Sequence, residues 1–311
     1  MTDGLSIARG LLGVAGAGAG PTDEQVRVVQ GLLDGYLGVE ADARSLDPLS
    51  PSQLAAATDP VDTQRVVDLV VVLEYCRHGD DEVGDGADAD ADADADAEAQ
   101  ADRAEEYARA LGVDEPMLAV ARDALRQQQD AVMADWARFH EESRVEPQAP
   151  VADPALAVRL RGLSACAPAT LGRAFFDFYD RWQLPFPGEA GGGGASLVAH
   201  DFSHVLAGYE PDPPSEIALQ AMLTSATGFA HHFSGLVASL SLFETGTFAI
   251  DDITPKTRAL AREGAAAELG EAFRRGQGCG RDFSALDHLA LVDQPLDAVR
   301  HSCGIAPRAG S

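Results

Sequence analysis

Positive charge is scarce in this chain. Its 311 residues carry 23 Lys and Arg against 50 Asp and Glu, a formal net charge of −27. A surface this anionic repels phosphate backbones, which argues against a nucleic-acid partner. Cysteine is rarer still. Cys76, Cys166, Cys279 and Cys303 stand far apart and form no Cys-x-x-Cys. The sequence therefore offers neither a disulfide framework nor a cysteine zinc site, and buried or inert thiols are expected. No apolar run reaches the roughly 18 residues of a membrane-spanning helix. The first 20 residues lack the basic-then-apolar order of a secretory signal, and the Gly/Ala-rich stretch around Gly13–Gly20 would make a poor export core. A cytoplasmic protein is the expectation. Hydrophobic residues make up 46% of the chain, enough to build real cores, so wholesale disorder is excluded.

What charge there is lies unevenly. Residues 1–150 hold 32 acids and 11 bases, residues 151–311 only 18 acids and 12 bases. With a prior of ~150 residues per domain, this shift places a boundary near residue 150, within the polar, Pro-bearing segment Glu141–Pro154. Inside the first half, Asp and Ala alternate from Asp88 to Ala97. Like charges at every second position repel and alanine buries little area, so residues 84–98 are expected to form a solvated, disordered loop. The run lacks the turn glycine and spaced ligands of a calcium loop.

The rest of the first half reads as helices. Thr22 can cap a helix from Asp23 toward Leu37, with Val26, Val29, Leu32, Leu33 and Tyr36 as its apolar stripe. Ser50-Pro51 opens a short helix through Ala57, and Asp59-Pro60 a longer one over Val61–His78, closed by Gly79. Near-continuous apolar residues make the latter the most buried helix. Asp102–Leu111 and the amphipathic segment Asp114–His140 follow. The blocks Gly16–Leu37 and Leu69–Leu111, the second ending in YARALGVDEPML, resemble the two-fold repeat of tellurite-resistance TerB-like domains. Members of that family carry acidic turns proposed to bind a metal. Here AGAGPTDEQ replaces the first acidic turn, while Asp80, Asp81 and Glu82 remain in the second. The resemblance thus implies a degenerate acidic bundle that mediates interactions, over residues 1–145; a generic acidic helical bundle is the equal alternative.

In the second half, Asp153-Pro154 opens a helix to about Leu163, and Ala167–Gln183 carries Phe175, Phe176, Phe178, Tyr179 and Trp182, a stripe best explained by core packing. Gly191–Gly194 has no following Gly-Lys-Ser/Thr and reads as a flexible connector, not a phosphate loop. The most informative stretch is SLVAHDFSHVLAGY, residues 196–209. Successive helical residues turn by about 100°, so His200 and His204 project from one face with Asp201 about a quarter-turn away. Imidazole nitrogens and a carboxylate converging on one edge can hold a divalent cation. Gly208 ends this helix, a Pro-rich turn follows, and a new helix near Ser215-Glu216 runs through Met222. Its antiparallel return would carry Glu216 back beside the His pair as a fourth ligand. A His pair at i, i+4 also occurs often by chance on helix faces.

The pattern His200-Asp201-x-x-His204, eleven residues, then Glu216 resembles the signature of the coenzyme Q (ubiquinone) biosynthesis protein 4 family, as does its context HDFSHVLAGYEPDPPSEIALQAM. The closing segment EAFRRGQGCGRDFSALDHLALVDQPLDAVRHSCGI is also similar, so the resemblance covers roughly residues 153–305. It implies an all-α fold, here two helical domains at 1–145 and 152–307, and a divalent ion, zinc foremost, held by His200, Asp201, His204 and Glu216. It further implies metal-dependent ring decarboxylation and oxidation of a polyprenylated quinone precursor or related isoprenoid lipid, at the inner face of a membrane and with other quinone-biosynthesis proteins or in an oligomer. Family members are also described as scaffolds of the biosynthetic complex, and a lipid-binding, non-catalytic role is the alternative.

The apolar segment Phe229–Phe243 suits a greasy substrate through Gly235, Ala238 and Ser239, or is a plain buried helix. His231 and His232 beside it are candidates for support of the site, though an ordinary core or surface role suits them better. Lys256, Arg258, Arg262, Arg274, Arg275 and Arg281 form a local basic segment that suits lipid headgroups or solvated helix faces. A His-Asp phosphohydrolase reading of His200-Asp201 ranks last, because its further upstream His would have to be His78 or His140, across the boundary.

Overall fold

A computed structural model describes residues 2–18, 20–77, 90–135, 153–228, 232–248 and 253–308. The expected all-α class is what the chain adopts: it is 62% helical, and no strand or sheet occurs among the described residues. Helix α1 (Gly4–Ala15) has no counterpart among the expected helices. Its Gly/Ala-rich sequence is made helical by the Asp3 side chain, which accepts from the Ser6 amide, and by burial of Ile7, Leu11, Leu12 and Val14. Helix α2 (Asp23–Gly31) opens on Thr22 with a full capping box to Gln25 and runs on as a π-helical turn over Leu32–Leu37. Ser50 caps α3 (Pro51–Ala57) in the same way through Gln53.

Helix α4 (Thr63–Tyr75) starts two residues later than the sequence suggests. The Asp59-Pro60 signal forms a turn instead, and the Asp62 carboxylate accepts from the Thr2 amide and hydroxyl, leaving it unable to cap its own helix. From Val66 to Tyr75 every residue of α4 is buried, as its composition requires. His78, Gly79 and the acidic trio Asp80, Asp81 and Glu82 lie outside the described residues.

The expected acidic loop over 84–98 is corrected in its second part, because α5 runs over Asp90–Ala110. Alanine is the strongest helix former, and acids in a first turn complement the helix dipole, so the Asp-Ala alternation suits a helix start better than its charge repulsion suggests. The single helix expected over 114–140 is broken as well. Helix α6 spans Met117–Leu125, Gln127 turns left-handed with φ 56°, and the chain is helical again over 129–135. The side-chain amide of Gln127 is used elsewhere, donating to the Thr245 carbonyl at 3.1 Å.

The second half supplies α7 (Pro154–Arg161), α8 (Leu171–Trp182), α9 (Ser196–Ala207), α10 (Pro213–Ala226), α11 (Phe233–Phe243), α12 (Ala265–Gln277) and α13 (Leu296–Cys303). The compositional boundary near residue 150 falls outside the described residues, as does most of 141–154. Across it the two halves build one continuous hydrophobic core. Helix α12 packs on α10 from one side and on α2 with its π turn from the other. The crossing is made of glycine: a Cβ at Gly31 would lie 2.0 Å from the Ala266 carbonyl oxygen, and one at Gly270 would lie 1.9 Å from that of Gly31. Helix α11 packs against α4 and α6, and the Tyr75 and Ser241 hydroxyls meet at 2.8 Å inside that contact. The four cysteines are free. No helix among the described residues is long and apolar enough to cross a membrane.

Candidate metal centre

Helices α9 and α10 form a helical hairpin whose facing sides carry the ligand-type residues. Gly208 takes the left-handed conformation (φ 74°) that ends α9, and Pro213 and Pro214 occupy the first helical positions of α10. Helix α10 therefore begins before Ser215 and runs past Met222 to Ala226, placing Glu216 in its first turn. The return brings Glu216 to the His pair. Nε2 of His200 lies 3.0 Å from Nε2 of His204, and the two Glu216 oxygens lie 3.3 Å from one ring nitrogen each. These three residues offer ligand atoms within 4.8 Å of one another.

Backbone contacts orient the rings. Nδ1 of His204 is 3.1 Å from the Tyr209 carbonyl oxygen, and since a carbonyl only accepts, that nitrogen carries the proton. Nε2 is thereby turned toward His200 and Glu216, the orientation a metal ligand needs. The Tyr209 amide donates back to the His204 carbonyl at 3.1 Å, so the two residues are tied twice. His204 is 1% exposed, and its ring stacks on Phe178 with centroids 5.8 Å apart. Burial opposes a charge on His200, but the Glu216 carboxylate outweighs it and lifts the imidazole to about 9. Burial likewise works against the charge on Glu216, yet the two imidazoles hold it far below the ordinary carboxylate range.

Asp201 does not join this set. One residue on from His200, it is rotated by about 100° around α9, and its carboxylate accepts a hydrogen bond from the Tyr179 hydroxyl of α8. Burial raises the Asp201 carboxyl above its usual value; burial and the Asp201 charge push the Tyr179 phenol far up, which keeps it the donor. Of the aromatic stripe on α8, Phe175 and Tyr179 are buried while Trp182 is exposed. Phe175 stacks on Phe202 of α9 at 4.0 Å, and Phe202 stacks in turn on His288 at 5.1 Å.

The end of α9 is gripped by three arginines. Arg300 donates to the carbonyls of Val205 and Leu206, Arg275 to that of Ala207, and Arg308 to that of Gly208, at 2.7–3.0 Å. The last four carbonyls of a helix have no partner within it, and here each receives a cationic donor. Arg275 and Arg308 also lie over the Tyr209 ring, 5.2 and 4.8 Å from its centroid. Arg275 is 2% exposed and so is not a headgroup-facing residue, whereas Lys256, Arg262, Arg274 and Arg281 remain exposed. His232 is held by Asp282 at 3.0 Å, and His231 lies outside the described residues. The small residues of α11 sit on its half-buried side, Gly235 where a Cβ would meet Gln220 of α10 at 2.7 Å.

The donor set fits a divalent ion. Tetrahedral zinc with bonds of about 2.0–2.1 Å spaces its ligands about 3.3 Å apart, close to the separations here, and two imidazoles with one carboxylate is a donor count that leaves a fourth position open. The sequence motif thus locates three of its four implied ligands together. What it does not reveal is Tyr179 as the partner of Asp201, or the arginines on α9. Their only advance signal is the Gly-Tyr that follows the His pair. Searches with protein-family models and against curated proteins find no match to this chain.

Proposed function

We propose that the protein is a metal-dependent quinone-biosynthesis protein of the coenzyme Q biosynthesis protein 4 type, acting on the ring of a polyprenylated aromatic acid. The observation that carries this reading is the convergence of His200, His204 and Glu216 within 3.3 Å in the spacing of that family's signature. These three residues would hold the ion, zinc by donor chemistry. Once bound, such an ion supplies a Lewis acid for the carboxylate and phenolate oxygens of a ring. The remaining work belongs to the chain. The Tyr209 carbonyl and the Phe178 ring fix His204; Tyr179 keeps a proton on its hydroxyl at the Asp201 side; Phe175 and Phe202 keep that side dry. An open fourth position favours an enzyme over a structural metal site, since structural zinc is closed by four protein ligands.

The decisive experiment combines elemental analysis with lipid mass spectrometry on the purified protein. One divalent ion per chain is expected, together with co-purifying polyprenylated aromatic acid. His204→Ala and Glu216→Gln should each weaken metal binding by more than about 100-fold, beyond the 10–100-fold typical of outer partners, and should abolish ring decarboxylation. Equal metal content in the wild type and both variants would remove the basis of the proposal. Retained lipid with no ring conversion in the metal-loaded wild type would establish the scaffold role instead.

A further inference from the structure

Helices α9 and α10 carry His204 and Glu216 on either side of the turn over 208–215, so the distance between these two residues depends on how that turn is closed. Mutual packing of the two helices contributes little, because α10 packs broadly on α12 and only narrowly on α9. Two side chains from elsewhere close the turn instead. Arg308, on the segment after α13, donates through one terminal nitrogen to the Gly208 carbonyl at 3.0 Å and through the other to Glu268 at 2.8 Å. Glu268, in the first turn of α12, accepts on the same oxygen from the Ser215 hydroxyl at 3.0 Å. Three hydrogen bonds thus run from Gly208 through Arg308 and Glu268 to Ser215, the neighbour of Glu216. The arginine and the glutamate are largely shielded from water, at 27% and 17% side-chain exposure, and Ser215 is buried. A guanidinium suits the task, since its rigid fork of donors can reach a carbonyl and a carboxylate at once. The same guanidinium lies over the Tyr209 ring, and the Tyr209 carbonyl is the group that fixes His204.

We propose that Arg308 and Glu268 form a clasp across the turn over 208–215 that sets the spacing between His204 and Glu216, which makes both of them positioning residues of the metal centre. The inference rests on the metal reading given above and adds to it what holds the ligand set in shape. A binding constellation must be kept within about 0.5 Å of its working geometry by the groups around it. Cutting the clasp at either end should let Glu216 drift from the His pair while the fold persists. Helix α10 keeps its packing on α12, and the end of α9 keeps its donors from Arg275 and Arg300.

The test measures Zn2+ affinity, by competition with a chelating dye, on wild type, Arg308→Met, Ser215→Ala and the double variant, with helicity checked by circular dichroism. Each single variant should bind Zn2+ about 3- to 30-fold more weakly, the range for groups that shape a site without touching its ligand. Because both substitutions open one clasp, the double variant should bind no more weakly than the weaker single, whereas independent losses would multiply. Ser215→Ala removes one hydroxyl and carries the test alone if Arg308→Met does not fold. Saturating Co2+ gives a second readout. Its visible bands report coordination geometry and should differ between wild type and the variants, a change that lower stability by itself does not produce. Wild-type affinity and bands in the single variants, or losses that multiply in the double variant, would overturn the clasp while leaving the metal reading intact. A wild type that binds no Zn2+ would overturn both.

Discussion

The hydrogen bond from Nδ1 of His204 to the Tyr209 carbonyl decides what the centre can do, because it fixes the ring with Nε2 facing His200 and Glu216. The His pair and Glu216 are legible in the sequence: helical spacing puts His200 and His204 on one face, and the Gly208 stop followed by prolines turns the chain back. Asp201 is where spacing misleads. A residue next to a ligand in sequence sits a quarter-turn away on the helix, and the Tyr179 hydroxyl that captures it comes from another helix, beyond the reach of any local pattern. Two outcomes follow at this scale. Asp201→Asn should keep one ion per chain by elemental analysis, since the atoms that could hold an ion are those of His200, His204 and Glu216. Tyr179→Phe removes the donor to a buried carboxyl. It should cost about 1–3 kcal/mol in urea unfolding, read as a lower denaturant midpoint.

Among whole elements, α12 departs most from what composition suggests. Arginines in a local basic stretch ordinarily face water, but Arg275 lies in the core with its guanidinium spent on the Ala207 and Ala306 carbonyls. Only the folded arrangement reveals this, because its partners are 68 and 31 positions away. Replacing it by Met should leave the buried Ala207 carbonyl and the half-buried Ala306 carbonyl without donors, a loss of about 2–6 kcal/mol at 1–3 per group, measurable as a lower denaturant midpoint. Arg300→Met should cost less, since Arg300 is partly exposed and water can take its place at the Val205 and Leu206 carbonyls. Helix α5 shows the opposite lesson. Its alternating acids look like a coil by charge, while alanine's propensity and the favourable start of a helix for acids go unread in a simple count of charges.

Over the whole molecule, the acidic and less acidic halves differ in composition and yet share one core. Composition reports surfaces, and these halves differ in their surfaces; what joins them is written in glycines at four-residue spacing, Gly31 and Gly35, against Gly270. Gly31→Ala would drive a methyl into the Ala266 carbonyl, a backbone group that cannot swing aside. A cost of at least about 1–3 kcal/mol is expected. Scanning calorimetry should show a single transition in wild type, with the calorimetric and van't Hoff enthalpies equal; two resolved peaks would mean the halves melt independently. The crossing also has a practical meaning for anyone dissecting the protein. Because α12 lies between α10 and α2, a fragment made from the second half alone would carry the cluster of His200, His204 and Glu216 intact but bare one flank of the helix that backs it. Such a fragment should clump when produced by itself and become well behaved when its missing counterpart is supplied in the same cell.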